Sequence, residues 1–239
     1  MKRIINSFVL IGAMLPAAIA QQNSDEATKN VDEGVLAQSD ENSEDGWKKG
    51  GTFAVNFGQV TLSNWQGGGQ SSVSGNSLMS LFANYKKGKK AWDNSLDLAY
   101  GLISQDNIPW IKSDDRIELN SKYGQQFNKN KKFYYGSLLN FRSQFAPGFA
   151  EASNTNVISR IMSPGYLTGA LGINYKPNKS LSLFLAAVSY RGTFVLDDAL
   201  NAVGAYGVEI NSRLRNELGG LFMAKYQKDV MKNVNLKTQ

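Results

Sequence analysis

The residue types that most often carry catalysis and metal binding are missing from this sequence, which has no histidine and no cysteine among its 239 residues. Serine and cysteine nucleophiles usually pass their proton to a neighbouring histidine, and zinc sites are usually built from histidine and cysteine. We therefore expect no enzyme of these classes and no metal site. Nothing in the sequence indicates a cofactor.

Carboxylates are what remain for acid–base chemistry. Asp93 and Asp97 are four residues apart, so on a β-strand their side chains point the same way. A hydrolase that uses this pair of carboxylates is chemically conceivable, and it is the third hypothesis for function. Ion pairing with Arg116 and Lys122 on the next segment is the simpler explanation.

These residues belong to a larger set of charged side chains that recur at alternate positions of successive segments: Asp93, Asp97, Arg116, Glu118, Lys122, Arg142, Arg215 and Glu217. If they line a narrow channel, they set its preference for ions or solutes. If they neutralise one another, they fill the interior of a small barrel that leaves little aqueous space. Mixed signs on neighbouring segments favour the second interpretation.

A glycine-rich loop contains a candidate ligand-contacting motif, Asn64, Trp65, Gly67 and Gly68. Glycine permits close backbone approach, and tryptophan stacks on sugar rings or lipid. A tight turn in which Trp65 closes the mouth of a barrel explains the same residues, and we favour it.

Asp114 and Asp115 form a second candidate site, where a long loop runs into a strand. They could bind a divalent cation that bridges lipopolysaccharide. They could instead cap the loop through hydrogen bonds from side chain to backbone. The cap is the favoured explanation.

The elements that position these groups are predicted to be β-strands, because apolar and polar residues alternate over segments of about ten positions. We predict tight turns at 86–89, 128–131, 176–179 and 227–229, and long loops near 60–76, 103–114, 146–165 and 192–212. Short turns at one rim and long loops at the other are typical of a transmembrane β-barrel. The strands are predicted at 51–59, 77–86, 91–102, 115–126, 133–145, 166–176, 180–191 and 213–226, with a ninth beginning at Asn233.

Alternation alone does not say which face is inside. In the segment from Ala91, Trp92 and Leu98 face one way and Asp93 and Asp97 the other. A soluble barrel would place the apolar face inward, whereas a membrane barrel places it outward towards lipid. The segment 180–191 is the exception, because both of its faces include apolar residues.

Aromatic placement favours the membrane barrel. Six aromatic residues lie near the predicted short turns, on the apolar face of their strands: Tyr85, Trp92, Phe133, Tyr135, Tyr175 and Tyr226. A ring of aromatics at one rim is what a membrane interface selects. We predict that these six residues lie at that interface.

The amino-terminal region has the features of an exported protein. Residues 1–20 combine a basic start, a short apolar run and a small-residue end, which predicts a signal peptide. Residues 21–46 contain eight acidic residues and one lysine, and they predict a disordered acidic tether. The remaining positive charge is concentrated in short turns rather than on one stripe, so nucleic-acid binding is not expected.

The mature chain resembles an uncharacterised family of Gram-negative outer-membrane proteins, domain of unknown function 3078. The resemblance rests on the segment Gln59–Gly68, on Trp92–Asn94 with Leu98–Leu102, on Lys112–Arg116, and on Gln144–Phe145. It implies a membrane barrel and brings no activity, substrate or catalytic residue.

Together, the residues and the resemblance predict an all-β protein, an antiparallel up-and-down transmembrane β-barrel of about ten strands at 47–239. Bacterial barrels have an even number of strands, and the chain does not end on an aromatic residue, so we expect a carboxy-terminal truncation. The expected location is the outer membrane of a Gram-negative cell after Sec-type export, and the expected partners are membrane lipid and lipopolysaccharide. The expected role is structural or that of a narrow small-solute channel. The alternative is a soluble periplasmic β-barrel that binds an apolar ligand.

Overall fold

The structure is almost entirely antiparallel β-sheet. A computed structural model describes residues 44–63, 69–106, 108–127, 132–150, 156–178, 180–231 and 234–238. The strands of the main sheet are β1 (Gly46–Val60), β2 (Ser72–Lys87), β3 (Lys90–Gln105), β4 (Ile111–Gln126), β5 (Phe133–Ser143), β8 (Gly165–Tyr175), β9 (Leu181–Phe194), β10 (Leu214–Met231) and β11 (Val234–Thr238). A second, two-stranded sheet joins β6 (Gly148–Phe149) to β7 (Val157–Ser159), and a short helix α1 spans Asp198–Ala202.

Each strand of the main sheet pairs with the strands that precede and follow it, apart from β6 and β7, in the order β1-β2-β3-β4-β5-β8-β9-β10-β11. All of these pairings are antiparallel. The prediction of an all-β, antiparallel up-and-down fold is confirmed. The connections at 88–89 and 176–180 are short, and those at 61–71, 144–164 and 195–213 are long, as predicted. The predicted long loop near 103–114 is wrong, because β3 runs to Gln105 and β4 begins at Ile111, which leaves a connection of only five residues.

The main sheet begins at Gly46, one residue before the predicted boundary at 47. The predicted signal peptide and most of the predicted tether lie outside the described residues. The predicted turn at Gln227–Asp229 is wrong, since these residues pair with β11 as part of β10. In the part of the chain that the structure describes, no helix is long and apolar enough to cross a membrane.

On the middle strands the charged face of the sheet is largely buried, and the apolar face is largely exposed. Towards the edges the charged face is more open, since β1 is exposed on both faces and the Glu217 side chain on β10 is 44% exposed. Glu118 and Lys122 are each 5% exposed, whereas Leu218 is 80% and Phe222 64% exposed. Within the described residues, no second layer covers the main sheet. We call the charged face the inner face and the apolar face the outer face.

A β-bulge corrects the interpretation of segment 180–191. On β9, Ala186 pairs with Gly172 while Val188 pairs with Leu171, so Ala187 is an extra residue. An extra residue reverses the alternation of side chains beyond it. The apparent mixture of faces in this strand therefore comes from the bulge.

Candidate functional site

A row of polar side chains crosses the inner face from β2 to β10. Directly opposite residues in adjacent strands lie on the same face of a sheet, so the register can be followed from strand to strand. The row is Ser80, Asp97, Glu118, Arg142, Tyr166, Thr193 and Arg215. The row brings polar groups of seven strands to one level of the inner face.

All eight members of the predicted charge network lie on this inner face. Arg116 pairs with Ala99, one step towards the loops, while Asp93 pairs with Lys122, two steps towards the turns. Glu217 pairs with Arg191 on the row between. The structure thus brings the set together on one surface, although its role stays a prediction.

The carboxylates on β3 and β4 are held mainly by neutral donors. The hydroxyl of Ser80 donates to Asp97 at 2.5 Å, and the amide of Asn140 donates to Glu118 at 3.2 Å. The same Asn140 amide donates to the Asn120 oxygen at 2.7 Å. Salt bridges alone therefore do not explain how these carboxylates are stabilised, because hydroxyl and amide groups also donate hydrogen bonds to them.

Several basic groups have buried nitrogen atoms that make no hydrogen bond within the described residues. They are Nε of Arg116, Nζ of Lys122 and Nε of Arg215. Arg215 does donate through its terminal nitrogens, to Glu217 at 2.8 Å and to the main-chain oxygen of Gly207 at 3.3 Å. The interior thus holds donors that the described side chains do not satisfy.

Two members of the inner face were missed from the sequence. Tyr166 lies directly opposite Arg142, and the guanidinium of Arg191 lies over the Tyr166 ring, 5.4 Å from its centroid. Strict alternation from Phe184 places Arg191 outside, and only the bulge at Ala187 turns it inward. The sequence does contain one signal for this inward position, a charged residue that follows an apparent break in alternation.

The long loops before β8 and before β10 pack together and form a cap at the loop end of the sheet. The hydroxyl of Ser163 accepts hydrogen bonds from the main-chain nitrogens of Leu196 and Asp197, both at 2.8 Å. Arg160 forms a salt bridge with Asp197 at 3.1 Å. Leu196 and Asp197 lead into α1, so these bonds tie the first loop to the helix of the second.

The core of the cap is a small apolar cluster, Val195, Leu200 and Val208, against which Tyr206 packs. The Tyr206 hydroxyl donates to the main-chain oxygen of Ile158 in β7. Burial, and then the nearby Tyr166, raise the pKa of Tyr206 to about 12. The phenol therefore stays protonated and keeps its hydrogen bond well above neutral pH.

The second candidate site, at Asp114 and Asp115, is occupied by protein groups. Asp115 accepts hydrogen bonds from the main-chain nitrogens of Phe145 and Ala146, at 2.8 and 2.9 Å. Lys112 lies 2.8 Å from the same carboxylate. This agrees with a capping role and leaves Asp115 a poor ligand for a cation, and no group of three or more metal-binding side chains occurs among the described residues.

The six predicted interface aromatics lie on the outer face near the short turns, and several contact one another or neighbouring rings. Trp47 lies 5.1 Å from Tyr85 and 5.9 Å from Trp92 between ring centroids. Phe133 and Tyr175 stack at 4.6 Å. Tyr135 stacks on Phe127 at 4.2 Å, and Tyr226 pairs with Leu181 at the same end.

The loop motif Asn64, Trp65, Gly67 and Gly68 lies outside the described residues, so both of its explanations stay open.

Comparison with known proteins gives a match for the segment from the end of β1 to β6. Residues 57–149 match the model of a family described as "Protein of unknown function (DUF3078)". No curated protein and no solved structure matches the chain. Residues 57–149 are therefore similar to the DUF3078 family, in agreement with the resemblance, and that description assigns the family no function.

Proposed function

We propose that this protein is an outer-membrane β-barrel whose role is structural or is the passage of small solutes through a narrow polar interior. The observation that carries the proposal is that apolar side chains are exposed on one face of the sheet while charged side chains are buried on the other. Leu218 and Phe222 are exposed, whereas Glu118 and Lys122 are buried. Exposed apolar side chains are unfavourable in water and favourable in lipid.

The aromatic residues support a membrane on the outer side. Tryptophan and tyrosine prefer the level of the lipid headgroups, and Trp47, Trp92 and Tyr135 are exposed near the short turns. A soluble protein would gain nothing from exposing these large rings at one rim. Their position fits an interface with lipid and lipopolysaccharide as partners, and no nucleic acid is proposed.

The soluble alternative requires an apolar interior. The only apolar cluster described on the inner face is small, and it lies towards the turn end of β5, β8, β9 and β10: Leu138, Ala170, Phe184, Ala186 and Met223. The rows above it are charged or polar. An interior of this kind suits an apolar ligand poorly.

The same cluster bears on how open the interior is. The Phe184 ring packs over Gly136, where an added Cβ would lie 2.9 Å from the ring. Phe184 is fully buried, so this side of the interior is filled with protein. At the level of this cluster, a solute path would therefore run past the polar groups of β2, β3 and β4.

A carboxylate hydrolase is the weaker proposal. Asp97 already accepts hydrogen bonds from Ser80 and from Ser95, at 2.5 and 3.4 Å. Asp93 lies directly opposite Lys122. Carboxylates held in this way fit a structural role, and we propose that the protein is not an enzyme.

Fractionation tests the proposal directly. The full chain is expressed with its amino-terminal segment, and the outer-membrane fraction is run on a detergent gel with and without boiling. We expect the protein in that fraction and a change in mobility on boiling, because a closed sheet resists detergent until heated. A soluble protein with no heat-dependent mobility would contradict the proposal.

A further inference from the structure

Two buried donors on the inner face meet no acceptor among the described residues. They are the hydroxyl of Thr193, whose residue is 1% exposed, and Nε of Arg215. Thr193 and Arg215 lie directly opposite each other on β9 and β10. Leaving a buried donor unsatisfied is unfavourable, so two such donors side by side indicate that an acceptor binds between them.

Positive charge surrounds the same point. Arg191 lies two residues before Thr193 on the same face, and Arg142 lies two strands away in the same row. Strands are spaced by about 4.8 Å, so the main chains at Arg142 and Arg215 are roughly 14 Å apart along the row. Two long arginine side chains can approach a common ligand across this distance. Two acids lie nearby: Glu217, which pairs with Arg215 at 2.8 Å, and Glu118, which lies directly opposite Arg142 on the side away from Thr193.

Other contacts define the walls of the site. Arg191 lies over the ring of Tyr166, which directs a planar guanidinium along the inner face beside Thr193. Arg215 donates to the main-chain oxygen of Gly207 in the cap. Gly207 has a φ of +71°, and an added Cβ there would overlap the Arg215 guanidinium. The cap thus approaches Arg215 closely and bounds the site at the loop end.

We propose that this pocket, formed by Thr193, Arg191, Arg215 and Tyr166 beneath the cap, binds a small oxyanion that carries carboxylate or phosphate oxygens. Guanidinium groups match such oxygens with two parallel hydrogen bonds, and the threonine hydroxyl supplies a further donor. The inference names the solute class for the interior and so rests on the proposed function.

Titration calorimetry on the folded, detergent-purified full chain tests the site, with inorganic phosphate and succinate as probes and chloride at equal ionic strength as the blank. We expect saturable binding of at least one probe. Arg191→Gln and Arg215→Gln should each weaken binding by about tenfold or more, because each removes a charged donor. Thr193→Val keeps the shape of the side chain but removes the hydroxyl donor, and it should weaken binding by a smaller factor.

Arg213→Gln is the matched control. Arg213 is close to Arg215 in sequence, but it is exposed and pairs with Asp198 in the cap. Its loss should change the affinity by less than about twofold. Absence of binding by both probes, or equal weakening in the control, would overturn the inference.

Heat-dependent mobility is measured on every variant to show that it folds. If an arginine variant does not fold, the affinity of Thr193→Val tests the site instead. A protein that resides in the outer membrane and folds but binds neither probe disproves the anion site alone. A protein recovered as soluble periplasmic material disproves the proposed function itself.

Discussion

Phe184 and Val188 are an even number of residues apart on one strand, yet Phe184 is buried inside the sheet at 1% exposure and Val188 is 59% exposed on its outer face. The bulge at Ala187 separates them. It also places Arg191 and Thr193 inside, so the candidate anion site depends on one extra residue.

Deleting Ala187 should abolish the folded, heat-modifiable form. Without the bulge, Phe184 and Arg191 cannot both face inward: either Phe184 becomes exposed or Arg191 turns towards lipid. A charged side chain on the lipid-facing side costs about 2–4 kcal/mol at mid-depth. Gel mobility after outer-membrane extraction measures this. Deleting the exposed Pro109 in the loop before β4 is the control, and folding of both deletions would show that the bulge is dispensable.

Gly172→Ala should destabilise the protein by about 1–3 kcal/mol, the usual range for overpacking. An added Cβ at Gly172 would overlap the main chain of Leu185 and Ala186 at the bulge. Gly169→Ala on the same strand is the matched control, since an added Cβ there would lie 3.9 Å from the main-chain oxygen of Leu138. The guanidinium midpoint of the heat-modifiable form gives the comparison, and equal midpoints would argue against the close approach.

Two salt bridges of different burial should differ in their contribution to stability. The carboxylate of Asp115 is buried beside Lys112, whose ammonium also donates to the Gln144 side chain. Asp115→Asn leaves the Lys112 charge without its counter-ion and should cost about 3 kcal/mol. Arg213→Gln breaks the exposed pair with Asp198 and should cost less than about 1 kcal/mol. The free energy of unfolding in guanidinium measures both, and a reversed order would contradict the burial of Asp115.

Tyr206 should make the protein less stable at high pH. Burial raises the pKa of this phenol from 10.0 to about 12. Between these values the unfolded chain releases the proton more readily than the folded one, so the free energy of unfolding falls as pH rises. Below pH 10 both states are protonated and the effect vanishes.

The phenolate absorbance of the wild type minus that of Tyr206→Phe isolates this titration. Its midpoint should lie near pH 12. Between pH 10 and 12, the free energy of unfolding should fall less in the variant than in the wild type. A titration midpoint near pH 10 would contradict the burial of Tyr206.

The strand positions could be predicted from the sequence because polar and apolar residues alternate at most positions of β3, β4 and β5. The inner position of Asp97 and Arg142 followed from that alternation. Arg191 was not placed, because a bulge shifts the alternation by one residue and the break in alternation does not say which residue is the extra one.

The cap could not be predicted either. The sequence predicts 146–165 only as a long loop, but Ser163 within it is fully buried against the loop that contains α1. Such contacts join segments about thirty residues apart and follow no local period. The end of β10 was also misplaced, because Gln227–Asp229 has the composition of a turn while it pairs with β11.

The most direct test of the central claim, that the apolar face contacts lipid and the charged face is enclosed, is single-cysteine labelling in outer-membrane vesicles. The chain has no native cysteine, so Leu171→Cys on the outer face and Ala170→Cys beside it on the inner face give a matched pair. We predict that Leu171→Cys reacts with a bilayer-soluble maleimide and is protected from a charged, impermeant one, and that Ala170→Cys reacts with neither until the protein is denatured. Rapid reaction of Leu171→Cys with the charged reagent in the folded protein would contradict the account.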